Sequence, residues 1–188
     1  MQLELETLFI KYGTDKGIWG YTPHYMRELA GKRFNIKRVL EVGICGDRDI
    51  KNNRTGASLW AWHEFFPHAE IIGLDNDARW MVNEGRIRSF CVDAYNTPAL
   101  LDVMNKLGPE PFDLIVDDAV HDPDPQTKLL WSLWPFLAPK GVYSIEDVCP
   151  YKLSQGNMRV MIDHFPAGTR TEVIKTHKPE VLLFVKNS

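Results

Sequence analysis

The chain has 188 residues, with 22 Lys and Arg against 25 Asp and Glu, for a net charge of −3 at pH 7 with neutral histidines. At 44% hydrophobic and 25% charged residues it is one domain's worth of foldable chain, and the balanced charge argues against an electrostatic grip on nucleic acid. No segment approaches the roughly 18 uninterrupted apolar residues of a membrane-spanning helix, and the start Met-Gln-Leu-Glu-Leu-Glu lacks a secretory signal, so a cytoplasmic protein with no membrane partner is expected.

Residues 1–36 read as one or two helices flanking a sheet, joined by the glycine-rich piece Tyr12-Gly13-Thr14-Asp15-Lys16-Gly17. Short apolar runs then alternate with helical stretches, the pattern of βαβ units. The runs are Val39-Leu40-Glu41-Val42, Ile71-Ile72-Gly73-Leu74, Phe90-Cys91-Val92, Leu114-Ile115-Val116 and Val142-Tyr143-Ser144-Ile145, all read as buried strands. Ser58 is placed to cap a helix in which Leu59, Trp62 and Phe66 recur at offsets of three and four until Pro67 stops it. Segments 77–86, 97–107 and 125–137 are the other expected helices. Strands at 172–176 and 181–185 are separated by four residues, which suits an antiparallel hairpin and not a crossover helix. The expected fold is α/β: a mostly parallel seven-stranded sheet ending in an antiparallel hairpin, with helices on both faces and residues 1–188 as a single domain. Cys45, Cys91 and Cys149 are too few and scattered for a disulfide framework, and Cys91 reads as a small core residue.

In open α/β sheets, ligands sit beyond the carboxyl ends of the strands. The first strand runs into Glu41-Val42-Gly43-Ile44-Cys45-Gly46-Asp47, Asp75 follows the second, Asp93 the third, and Asp117-Asp118 the fourth. A nicotinamide dinucleotide wants G-x-G-x-x-G opening directly into a helix. Here position 45 is Cys, and a polar loop separates the turn from the helix. A cationic, phosphate-free adenosine ligand fits better: Glu41 or Asp47 near its ammonium group, Asp75 on the ribose, Asp93 near the adenine. That ligand is S-adenosylmethionine (SAM).

Val116-Asp117-Asp118-Ala119-Val120-His121 and Ile145-Glu146-Asp147 end neighbouring expected strands, about 4.8 Å apart in a sheet. Crowded carboxylates repel unless a cation lies between them, and a hard divalent ion such as Mg²⁺ resolves that conflict. Asp118, Glu146 and Asp147 are the expected ligands, with Asp117 facing the cofactor. His121 is the expected general base, taking the proton of a metal-held hydroxyl as it attacks a methyl group. No Cys or second His is placed to complete a zinc site.

The sequence resembles the class I SAM-dependent methyltransferases, specifically the Mg²⁺-dependent O-methyltransferases acting on sugar hydroxyls of macrolides and related glycosides. The carriers are the Tyr12–Gly17 element with Tyr21 and Tyr25, Leu40-Glu41-Val42-Gly43, the loop Asn52-Asn53-Arg54-Thr55-Gly56-Ala57-Ser58-Leu59, Gly73-Leu74-Asp75, Asp117-Asp118-x-x-His121, Gln126 and Ile145-Glu146-Asp147. The resemblance implies a Rossmann-like fold, a sugar or glycoside acceptor, the same metal ligands and base, Thr14, Asp15 and Lys16 over the cofactor as part of a lid, and Ser58 touching it. A catechol-like acceptor is the alternative within this chemistry, and a nicotinamide-dependent oxidoreductase the alternative outside it. Tyr21, Tyr25 and Tyr151 are candidates for stacking on a sugar. The short stretch 148–170 suggests an acceptor site that is open or completed by a second subunit of a homodimer.

Overall fold

The computed structural model describes residues 2–45, 54–149 and 168–187. Its seven strands are β1 (Arg38–Val42), β2 (Glu70–Asp75), β3 (Ile87–Cys91), β4 (Phe112–Asp117), β5 (Leu137–Val148), β6 (Arg170–Lys175) and β7 (Val181–Lys186), in the order β3-β2-β1-β4-β5-β7-β6. Neighbours from β3 to β5 pair in parallel, and β7 runs antiparallel to both β5 and β6. This is the expected sheet with its terminal hairpin.

Alternation along the strands gives the sheet two apolar faces, and each is covered by helices. Val39, Ile71, Leu114, Val116 and Phe184 pack with α1 (Gln2–Tyr12), α2 (Thr22–Leu29) and α3 (Ala57–Phe65). Leu40, Ile72, Ile115, Tyr143 and Leu183 pack with α4 (Thr97–Leu107) and α5 (Pro123–Leu133). The same alternation sends Glu41, Ser144 and Glu146 toward the first layer. All three are buried, so that layer must supply their polar partners.

Four local expectations change. Segment 77–86 is not a helix but one 3₁₀ turn, Ala78–Trp80, capped by Asp77. Gly85 takes a left-handed φ of 60°, and the Asn83 and Ser89 side chains bond the amides of Ser89 and Val82, tying the segment to β3 in place of helical backbone bonds. Ser58 is not the cap of α3, since left-handed Gly56 precedes the helix; Ser58 lies in its first turn and donates to Glu41. The last helix begins earlier than expected, at Pro123 with Asp122 as cap, and stops at Leu133 before a 3₁₀ turn. Cys91 is exposed, because β3 is an edge strand with alternating burial. Trp60 and Trp62 are core residues, whereas Trp131 lies on the surface. Among the described residues no helix is long and apolar enough to cross a membrane.

Candidate functional site

Strand order reverses between β1 and β4, and the carboxyl ends of these strands close tightly on each other. The Asp118 amide donates to the Val42 carbonyl at 2.9 Å. Gly43 follows at φ 87°, and a Cβ there would lie 2.2 Å from the Asp118 carbonyl oxygen and 2.7 Å from the Ala119 Cα. Only glycine permits this approach. Beside it opens a cleft of about 510 Å³ whose lining includes Gly43, Cys45, Asp75, Asp93, Asp118 and Val120. A smaller space of about 290 Å³ adjoins it, lined by Thr14, Asp15, Gly43, Cys45, Ser58 and Asp118 among others.

The acids on the cleft are held by their own turns. Asp75 accepts the amides of Ile44 and Asp77, both at 3.0 Å, and Asp93 accepts the Tyr95 amide at 2.9 Å. Tyr95 in turn accepts the Val120 amide at 3.0 Å, fixing the loop between Asp118 and His121.

On the side covered by α1 to α3, the polar residues of the sheet meet one inserted cation. The Lys16 ammonium lies 2.6 Å from Glu146, 2.7 Å from Asp118 and 3.1 Å from Glu41. The other Glu146 oxygen accepts the Tyr25 hydroxyl, Gln126 donates to the Glu146 backbone carbonyl at 3.0 Å, and Trp62 donates to Glu41 at 2.9 Å. Burial opposes the charge on Lys16, but Asp118, Glu146 and Glu41 outweigh it and hold its pKa well above the ordinary lysine value. Burial also pushes Glu41 and Glu146 above the usual carboxylate range, with Lys16 offsetting only part of it. One ammonium does not neutralise three acids.

Asp118 and Asp147 face each other across His121. Its Nε2 is 3.5 Å from Asp118 Oδ1 and its Nδ1 3.5 Å from Asp147 Oδ2. Ligand atoms of the three residues lie within 4.8 Å of one another. Each acid has its other oxygen anchored: Asp118 Oδ2 by Lys16, and Asp147 Oδ1 by the Tyr21 hydroxyl and the Lys178 ammonium. Asp147 takes a left-handed φ of 57° where the β5–β7 register is irregular, a strained conformation of the kind that re-aims side chains at functional sites. The hydrogen bond to Asp118 raises the His121 pKa, burial lowers it, and the charges of Asp118 and Asp147 add to the rise. Asp118 itself is held below the usual range, because Lys16 and His121 outweigh its burial.

The acids expected to share an ion do converge, with one difference. Both Glu146 oxygens are taken by Lys16 and Tyr25, and the ligand atoms that lie within 4.8 Å of one another are those of Asp118, Asp147 and His121. Lys16 is buried among acids and does not line either cavity, unlike Thr14 and Asp15. Asp117, expected to face the cofactor, is fully buried away from the cleft lining. Tyr21 and Tyr25 have no exposed face for a sugar, since their hydroxyls are used on Asp147 and Glu146. Their signal was in the sequence: Tyr21 and Tyr25 are four apart, with Met26 and Leu29 continuing a buried helical stripe. Lys178 had no signal at all. Gly46, Asp47 and Tyr151 lie outside the described residues, as do Asn52, Asn53 and positions 155–157.

No protein-family model matches the chain. It is 34% identical to the mycinamicin VI 2''-O-methyltransferase of Micromonospora griseorubida over 147 residues, 77% of this chain and 36% of that protein. The demethylmacrocin O-methyltransferase of Streptomyces fradiae is also 34% identical, over 77% of this chain and 36% of its own length. The chain therefore spans about a third of the length of these relatives. Among solved structures, the MycE methyltransferase in complex with Mg, SAH and mycinamycin VI superposes with a TM-score of 0.78 at 26% identity, covering 98% of this chain and 53% of that one. The N-methyltransferase NodS from Bradyrhizobium japonicum has a similar fold, with a TM-score of 0.54 at 16% identity over 88% of this chain and 93% of that one.

Proposed function

We propose that this chain, which has the class I methyltransferase fold and is related to the macrolide-sugar O-methyltransferases, moves the methyl group of SAM to a hydroxyl of a sugar or glycoside. The carrying observation is the meeting of two half-anchored carboxylates and a histidine, one of the carboxylates, Asp118, lining the cleft at the topological switch point. Two groups are implied: SAM supplies a methyl on a sulfonium, and a hard divalent ion such as Mg²⁺ acidifies and fixes a hydroxyl. The residues present fit such an ion. Asp118 Oδ1 and Asp147 Oδ2 face each other across His121, ligand atoms of the three lie within 4.8 Å of one another, and Lys16 and Lys178 engage only the opposite oxygens of the two acids.

Asp118 Oδ1 and Asp147 Oδ2 are the oxygens that would hold the ion, with Glu146 acting through Lys16 on Asp118. His121, 46% exposed and strengthened as a base by Asp118, takes the hydroxyl proton on a ring nitrogen. Gly43 lets the backbone approach the cofactor, Asp75 and Asp93 are its ribose and adenine neighbours, and Thr14, Asp15 and Ser58 border the adjoining space where its amino-acid part fits. Holding donor and acceptor at one switch point supplies the proximity that an intermolecular methyl transfer lacks.

The test is a pair of measurements. Calorimetric titration with S-adenosylhomocysteine and with NADH is expected to detect the first ligand only; binding of NADH alone overturns the cofactor assignment. A methyl-transfer screen against mono- and oligosaccharide glycosides is expected to find an acceptor whose methylation stops with EDTA and returns with Mg²⁺. Undiminished transfer in EDTA removes the metal from the mechanism.

A further inference from the structure

We infer that Lys178, carried on the β6–β7 turn, is a built-in counter-ion of the candidate metal site, a positioning residue that weakens and so keeps exchangeable the hold of Asp147 on a divalent ion. The inference rests on the metal reading given above. Lys178 comes from residues 176–180, the turn that joins β6 to β7. Its ammonium pairs with Asp147 Oδ1 and also lies over two aromatic rings, 4.8 Å from the Trp19 centroid and 5.7 Å from that of Tyr21. The turn is clamped in place. The His177 amide donates to the Trp19 carbonyl at 3.1 Å, His177 Nδ1 is 3.2 Å from the Ile18 carbonyl, and a Cβ on Gly20 would strike the His177 ring at 2.9 Å.

Two groups share Asp147 Oδ1, and their chemistry gives them different tasks. The Tyr21 hydroxyl is neutral and fully buried, so it orients the carboxylate without altering its charge. Lys178 also neutralises it. A positive charge in contact with a carboxylate opposes a second cation on the same group, and at an effective dielectric near 20 that opposition is a matter of several RT. Lys16 does the same to Asp118, but it is wholly enclosed by three acids and cannot be removed without exposing them to one another. Among the described residues Lys178 pairs with one acid, 11% of its side chain is exposed, and Tyr21 remains to hold Oδ1 when the ammonium is gone. Deleting its charge therefore isolates the electrostatic effect. Before an ion arrives, the same pairing keeps Asp147 turned toward His121 instead of out to water.

The experiment is a titration of the whole chain with Mn²⁺, free ion being read by electron paramagnetic resonance. It compares wild type with Lys178→Met, which removes the charge but keeps an unbranched side chain, with Lys178→Arg, which keeps the charge, and with Tyr21→Phe. Lys178→Met is expected to bind Mn²⁺ about tenfold more tightly, Lys178→Arg within about threefold of wild type, and Tyr21→Phe on the order of tenfold more weakly, as for loss of an orienting contact. Unchanged or weakened binding by Lys178→Met, in protein that melts as cooperatively as wild type, overturns the inference. Should that variant not fold, Lys178→Gln carries the same expectation. Absence of binding by wild type and by every variant overturns the metal reading and this inference together, a result distinct from a wild-type site that Lys178 does not influence.

Discussion

The two sides of the switch point are built by different means. On the cofactor side, Asp75 and Asp93 bond amides at most 31 residues away, within turns that follow directly from β1, β2 and β3. On the metal side, Asp118, Glu146 and Asp147 are fixed by Lys16, Tyr21, Tyr25 and Lys178, and the pairs that tie the N-terminal segment to them lie 102 to 130 residues apart. The first side is local turn chemistry, so it can form as the sheet forms. The second exists only once the N-terminal segment and the terminal hairpin have both docked. A lesion in one side should therefore damage folding and the metal site together, and a lesion in the other should act on cofactor binding alone.

The sharpest way to break that contrast is Lys16→Met. It leaves Glu41, Asp118 and Glu146 facing one another without their shared ammonium, and breaking a buried ion cluster costs roughly 3–5 kcal/mol. Chemical denaturation should register a loss of that order, partly recovered by added Mg²⁺. A loss under 1 kcal/mol would mean the acids do not need Lys16 to coexist. His121→Ala acts at the rim and should leave folding alone. Turnover is expected to drop on the order of 10²–10⁴-fold with S-adenosylhomocysteine affinity kept, and a full-rate variant would remove His121 from proton transfer.

A third test uses pH on metal-free protein. Asp117 is fully buried, neither carboxylate oxygen has a well-formed hydrogen bond, and its pKa is pushed up to about 8, burial outweighing the Ala119 amide and His121 while Asp118 adds to the rise. The folded state thus keeps a proton that the unfolded chain gives up near pH 4, so Asp117 favours folding below pH 4 and this contribution declines as pH rises toward 8. Asp117→Asn stays neutral throughout. Its stability relative to wild type should increase across that interval, by a few kcal/mol at most, and thermal melts at pH 5, 6.5 and 8 give the slope. A flat difference would mean that Asp117 is ionised in the folded protein.

The same contrast explains what the sequence made legible. The mostly parallel sheet, the hairpin, the convergence of Asp118 with Glu146 and Asp147, and the placing of His121 beside them all follow from periodicity and from residues at strand ends, whereas the order of the strands does not. Segment 77–86 misled because its apolar spacing resembles a helix while Asn83 and Gly85 turn the backbone. Lys16 was legible as part of a motif but not in its role, since nothing near Gly17 in the chain says that an ammonium will cross to Glu146. Tyr21 and Tyr25 read as sugar platforms when viewed as aromatic residues, and as buried donors when their four-residue spacing is weighed against the polar strand residues that need partners. Lys178 could not be found, because its partner is defined by the docking of the last hairpin.

The smallest expected effect tests the cofactor side by itself. Asp75→Ala removes an acceptor from the amides of Ile44 and Asp77, each a bond worth roughly 1 kcal/mol net. Both bonds are part-buried, and denaturation should detect a loss of about 1–2 kcal/mol. S-adenosylhomocysteine should bind on the order of tenfold more weakly, as the carboxylate is also the ribose neighbour on the cleft. Mn²⁺ affinity should not move, since no atom of Asp75 reaches Asp118, His121 or Asp147 through a hydrogen bond. If instead the metal weakens in step with the cofactor, the two sides are one cooperative unit, and the local turns after β1 and β2 are as dependent on the docked lysines as the acid cluster is.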